Sequence, residues 1–217
     1  MALTNIQDRI EDLISDLYST DIDADLDAAY TSAVATVADT VPPAILLKEL
    51  GEAESTSFDD EVLPDLSGKK TLLVTRLDAD GIERKCHPAD PTDYAVAKEA
   101  NSIYEATEWN PVYTIKPGGV LAIAPEDKSS GQTDLGTVYN FTYPLTIPAT
   151  TVIAGFPNEL IQAVVLKSAI NLLQTYIGNA SQEEEDTEIM QLVQNQTGQY
   201  QAEFDREMQR YTQGAAE

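Results

Sequence analysis

Few side chains in this sequence could do covalent or metal chemistry. Its 217 residues carry one histidine and one cysteine among 37 Asp and Glu. Cys86 and His87 are neighbours in a stretch that reads as strand, so their side chains point to opposite faces and cannot share a metal. The run Asp21, Asp23, Asp25, Asp27 suggests a calcium loop. An EF-hand beginning at Asp21 needs glycine sixth and glutamate twelfth, where the chain has Leu26 and Ser32. A start at Asp78 gives Glu83 and Ala89, and helix capping and a hairpin turn account for both acidic runs. Gly118-Gly119 lacks the Lys-Ser/Thr of a phosphate loop, and a Ser–His–Asp triad would have to use His87 with no nucleophile elbow nearby. A carboxylate pair for acid–base work needs one member in a dry pocket, whereas these acids fall on solvent faces and in loops. Three Asn-x-Ser/Thr matches, at Asn140, Asn179 and Asn195, lie in a chain whose start shows no secretory signal. The expectation is a protein that is not an enzyme and has no catalytic residue, cofactor or metal. A divalent-metal enzyme built on the acids is the rival, and metal titration decides between them.

Against 13 Lys+Arg, the acids give a formal charge of −24, which repels phosphate backbones and argues against groove-reading nucleic-acid binding. A single cysteine excludes an internal disulfide framework and suits a reducing compartment. At 42% hydrophobic the chain can build a core, and no run of 18 uninterrupted apolar residues predicts a membrane span. The charge is concentrated at the ends. Residues 1–65 hold 16 acids and 2 bases and residues 181–217 hold 9 and 2, while the 12 acids and 9 bases of 66–180 nearly balance.

That division matches the patterning. Leu3, Ile6, Ile10, Leu13, Ile14 and Leu17 fall on one helical face. A second helix from the Asp21–Asp25 region uses Leu26, Ala29, Tyr30, Ala33, Val34 and Val37, and Val41-Pro42-Pro43 ends it. Pro43 opens a short third helix to Leu50, closed by Gly51. From about residue 58 the period becomes 2. Lys70–Leu77 and Ile82–Cys86 read as a hairpin around Asp80-Gly81, followed by a short helix near Tyr94–Ala97. Val112–Ile115 and Val120–Ala124 form a second hairpin around Lys116-Pro117-Gly118-Gly119, and Gly136–Leu145 is a further strand. After Pro148 a broad-faced helix covers 158–177, stopped by Gly178-Asn179. Ser181 and Glu184 read as a capping box for a last helix of about 30 residues, striped by Ile189, Leu192, Val193, Gln196, Tyr200, Phe204, Met208 and Tyr211. The predicted class is α+β: helices at 1–57 and 151–217 form a scaffold, with a β-rich insertion at 58–150. The last stripe is either core or a partner surface. The second reading makes Tyr200, Phe204, Met208 and Tyr211 the anchors of a helix that projects onto a neighbour.

The order of these features matters more than any one motif. A helix pair leads into "VPPAILLKELGEA". The segments "LLVTRLDADGIERKCHPAD", "NSIYEATEWNPVYTIKPGGVLAIAPE" and "VYNFTYPLTI" follow, and the chain closes with "GFPNELIQAVVLKSAINLLQTYI" and a Gln/Glu-rich helix. Over roughly residues 3–210 this resembles the head–tail adaptors (neck, or head-completion proteins) of tailed bacteriophages. The resemblance implies a virion structural protein in the neck between capsid and tail, assembled in the host cytoplasm. It implies a homo-oligomeric ring, commonly of 12 subunits, docked on the portal and continuing the DNA channel toward a tail, nozzle or tail-terminator protein, with no membrane partner. It further implies that the closing helix meets the portal and that the insertion, at turns such as Pro117, Gly118 and Gly119, meets the tail side. Acidity fits a lumen that DNA must slide through without binding; it equally fits plain solubility. A monomeric acidic cytosolic binding or chaperone-like module is the alternative of a different class.

Overall fold

In a computed structural model, residues 5–14, 25–49, 55–59, 63–127, 132–180 and 187–213 are described. The fold is α+β, with two compact units. One is formed by both ends of the chain, Met1–Leu46 and Tyr143–Glu217, and the other by Leu47–Thr142. The boundaries fall earlier than 58 and 150 for identifiable reasons. Ser55–Phe58 pairs into the insertion's sheet, so it belongs there. The chain after Tyr143 is tied to helices instead: the Tyr143 hydroxyl donates to Asp39 (2.7 Å) and the Ile147 amide to Asp27 (2.9 Å).

The helical unit contains α1 (Ile6–Leu13), α2 (Leu26–Thr40), a 3-10 turn (Asn158–Leu160) that runs into α5 (Ile161–Ala180), and α6 (Thr187–Gln213). After α2 the chain forms α3 (Pro43–Glu49), which spans the boundary at Leu46/Leu47. The Asn5 side chain caps α1 by accepting from the Asp8 amide. Asp25 precedes α2 without a side-chain cap bond, so the expected role of the aspartates there reduces to charge near the helix start. Every apolar position foreseen for α2, from Leu26 to Val37, is buried. Leu3, Leu17, Asp21, Leu50, Gly51, Ser181 and Glu184 lie outside the described residues.

α5 is the centre of this unit. Leu160, Ile161, Val164, Val165, Leu166, Ala169, Ile170, Leu172 and Leu173 bury several sides of it, and it packs against α1, α2 and α6. The segment Asn158–Asn179 is, by length and a mean hydropathy of 1.3, apolar enough to cross a membrane, although it contains no uninterrupted apolar run of 18 residues. Its polar members, such as Lys167 and Asn171, break the run without lowering the mean below that level. With 61% of its window buried inside the protein, its apolar surface serves the core. Gly178 and Asn179 do not stop it. α5 runs on to Ala180, since one glycine in a helix costs only about 1 kcal/mol.

The sheet unit has two sheets. The first is antiparallel in the order β1-β7-β2-β3, with β1 Ser55–Phe58, β2 Lys69–Leu77, β3 Glu83–Lys85 and β7 Gly136–Thr142. The second is β4-β5-β6, where β4 (His87–Pro88) runs parallel to β5 (Val112–Ile115) and β5 pairs antiparallel with β6 (Leu121–Ala124). Both foreseen hairpins are present, with Leu77 opposite Glu83 and Ile115 opposite Leu121. The strand predicted to Leu145 ends at Thr142, since Pro144 cannot donate to a ladder.

All four residues of β6 are buried, and alternation explains why. Leu121 and Ile123 join Phe58, Leu66, Val74, Leu135 and Val138 in the core between the sheets. Ala122 and Ala124 face α4 (Pro91–Ala97), packing with Tyr94, Ala97 and Ala106. α4 is capped by Asp90, whose carboxylate accepts the Thr92 and Asp93 amides.

Candidate interaction surface

The residues with chemical potential are mostly spent on structure. Cys86 is buried between the sheets, and that burial pushes its thiol up to about 12, far from a reactive thiolate. His87 beside it is exposed. Asp78 is buried where β2 turns: its carboxylate accepts the Asp80 and Ile82 amides (3.0 and 2.9 Å) and the Arg84 Nε (2.8 Å). The Ile82 amide is the main force holding this carboxyl below the usual range, with Arg84 assisting. Arg76 is fully buried, donating to the carbonyls of Leu77 (2.7 Å), Asp127 (2.6 Å) and Pro125 (3.2 Å). Lys98 pairs with Glu126 (2.6 Å), and the Tyr94 hydroxyl reaches Ile123 O and Glu126. Among the described residues, no three His, Cys, Asp or Glu side chains cluster closely enough to hold a metal.

The sequence-derived partner anchors on the last helix divide unevenly. Phe204 and Met208 are only 8% and 6% exposed, and Val193 is wholly buried. Tyr200 and Tyr211 are half-buried and use their hydroxyls within the chain, on Leu13 O (2.8 Å) and Glu159 O (3.2 Å). Gln196 donates to the same Leu13 carbonyl (3.0 Å) and to the Tyr200 oxygen (2.8 Å). The picture of a helix projecting onto a neighbour is therefore corrected, because α5 and the end of α1 cover the stripe. What α6 exposes is apolar surface near its start, at Ile189 and Leu192.

The turn at Pro117, Gly118 and Gly119 is at the surface, with Ile115 and Val120 also exposed, but it is pinned. Ser67 Oγ donates to Gly118 O (2.9 Å), the Leu66 amide to Gly119 O (2.8 Å), and Asp65 bridges to Val120. Gly119 has φ +82°, and a Cβ there would press on Ser67 Oγ and lie 2.7 Å from the Ser67 amide. Gly119→Ala is expected to lower stability by about 2 kcal/mol, read as a shifted urea midpoint of the sheet unit. An unchanged midpoint would mean that the turn is free of the 65–67 segment.

A surface that the sequence reading passed over lies between α4 and β5. Ile103, Tyr104 and Trp109 are 90%, 70% and 64% exposed, and Ile82 in the neighbouring hairpin turn is 51% exposed. The guanidinium of Arg84 sits 4.6 Å above the Trp109 ring, and the Glu108 carboxylate accepts the Ala79 amide (2.9 Å), joining this loop to the turn. The signal was there to read: three large apolar side chains fit neither period in a polar stretch.

The described residues thus form a two-unit α+β protein. The chain matches no known family model, and no curated protein or solved structure is significantly similar to it.

Proposed function

We propose that this chain is a virion structural protein: a head–tail adaptor of a tailed bacteriophage that docks as a ring on the portal, extends the DNA channel and offers the tail its attachment surface. The observation that carries this reading is the chain path. Both chain ends build one helical unit, and the whole segment Leu47–Thr142 is inserted as a separate sheet unit. Such a layout lets one unit serve assembly while the other presents loops elsewhere. The charge supports it too, since the helical unit has 19 acids against Arg9, Lys167, Arg206 and Arg210, and a like-charged wall lets DNA pass without holding it.

The internal burial of α6 favours the alternative, a monomeric acidic binding module, because the helix expected to bridge subunits is satisfied within its own chain. Particles assembled without this protein decide the matter. Filled heads without tails, made tail-competent by adding the purified chain, are the expected result. Normally tailed particles would refute the adaptor reading. Duplex DNA should also show no retardation by the purified chain at low salt, and tight binding there would remove the lumen argument.

A further inference from the structure

Resting on the adaptor reading, we infer that Ile103, Tyr104 and Trp109 with Ile82 form the docking surface of the sheet unit. Its occupant is a tail-side protein that presents an apolar pocket rimmed by lysine and arginine.

Exposed apolar residues scattered singly are ordinary, but four large ones on one loop and its adjoining turn are not. Arg84 over the Trp109 ring and the Ala79–Glu108 bond join the Ile82 turn to this loop, on which Ile103 and Tyr104 are also exposed. The loop that carries them is held in place. The Ala106 amide donates to Ala97 O (2.8 Å), anchoring the loop on α4. Asn101 has φ +66°, and its amide donates to the Glu105 carboxylate (2.7 Å). The Tyr104 amide donates to Ser102 Oγ (3.2 Å), and Thr107 bridges to Asn110. Trp109 lies under Arg84, which buried Asp78 holds in turn. Side chains exposed on an ordered loop lose little freedom when a partner covers them, and Trp and Tyr are the residues that dominate contact energetics.

Charge selects the occupant. Residues 78–85 and 98–110 carry six carboxylates (Asp78, Asp80, Glu83, Glu99, Glu105, Glu108) against Arg84, Lys85 and Lys98, and Arg84 and Lys98 are paired with Asp78 and Glu126. A rim of this sign draws a basic partner and repels nucleic acid and anionic lipid. A second copy of this chain, at −24, would bring mostly like charge.

Trp109 is the only tryptophan, so its emission reports directly on the surface. The full-length chain is titrated with the purified portal and, separately, with each purified tail-side protein of the same particle. One tail-side protein is expected to shift Trp109 emission to the blue. The double variant Ile103→Ser/Tyr104→Ser should weaken that binding at least tenfold with an unchanged melting curve. Glu99→Lys should weaken it severalfold and flatten its salt dependence. A tail-side protein that binds without moving Trp109 emission, and binds the double variant equally well, would overturn the surface while leaving the adaptor reading intact. Binding to neither portal nor tail-side proteins would overturn both. Self-association abolished by the double variant would make a second copy the occupant and overturn the proposal.

Discussion

A chain ending at Gln199 should lose the cooperative melting of its helical unit. The deleted segment carries Phe204 and Met208, buried against the chain's own helices, and Tyr211, whose hydroxyl is bonded to Glu159 O. Large-to-small changes at such sites cost about 3–5 kcal/mol for Phe and 2–5 kcal/mol for Met. A typical domain has only about 5–15 kcal/mol of stability in total. Truncation also strips cover from α5, whose apolar sides then face water. Far-ultraviolet circular dichroism during heating should show a broad, early loss of helix in place of one sharp transition. Phe204→Ala, a milder change, should keep the sharp transition but lower stability by about 3 kcal/mol. A truncated chain that melts like the parent would show that the last turns of α6 are dispensable to the fold and available to a partner.

Arg76→Met should destabilise the sheet unit by about 3 kcal/mol. Methionine fills much of the same volume but leaves three carbonyls, those of Leu77, Pro125 and Asp127, without the donor that satisfies them. Lysine should rescue little, because one ammonium cannot span three acceptors that a planar guanidinium reaches at once. Urea unfolding followed by Trp109 emission measures this, since Trp109 lies in the same unit. Full stability of Arg76→Met would mean that the turn after β6 holds its shape without the guanidinium.

The sequence reveals elements whose periodicity is set by burial. α2 and α5 announce themselves through apolar spacing, and both hairpins through alternation and Gly-containing turns, because the same burial that creates the pattern fixes the element. β1 has no such pattern. Ser55-Thr56-Ser57-Phe58 has one apolar residue and becomes a strand only because β7 offers it a partner. β4, at His87-Pro88, is two residues held by β5. α6 shows its amphipathic period in the sequence, yet that period cannot say whether the covering surface lies in the same chain or another; here it is α5. Arg76 is similarly opaque, since Val74-Thr75-Arg76-Leu77 gives no hint that the arginine is the wholly buried member. Of the candidate site residues, Pro117 and Gly118 were legible as a surface turn. The clamp from residues 65–67 was not, being a contact across about fifty residues of chain.

Imaging the purified chain mixed with the portal of the same particle tests the adaptor role most directly. One added ring of density, with a subunit number set by the portal and located on the portal's tail-facing side, is the expected result. Portal rings identical with and without the chain, with the chain sedimenting as a monomer beside them, would contradict it.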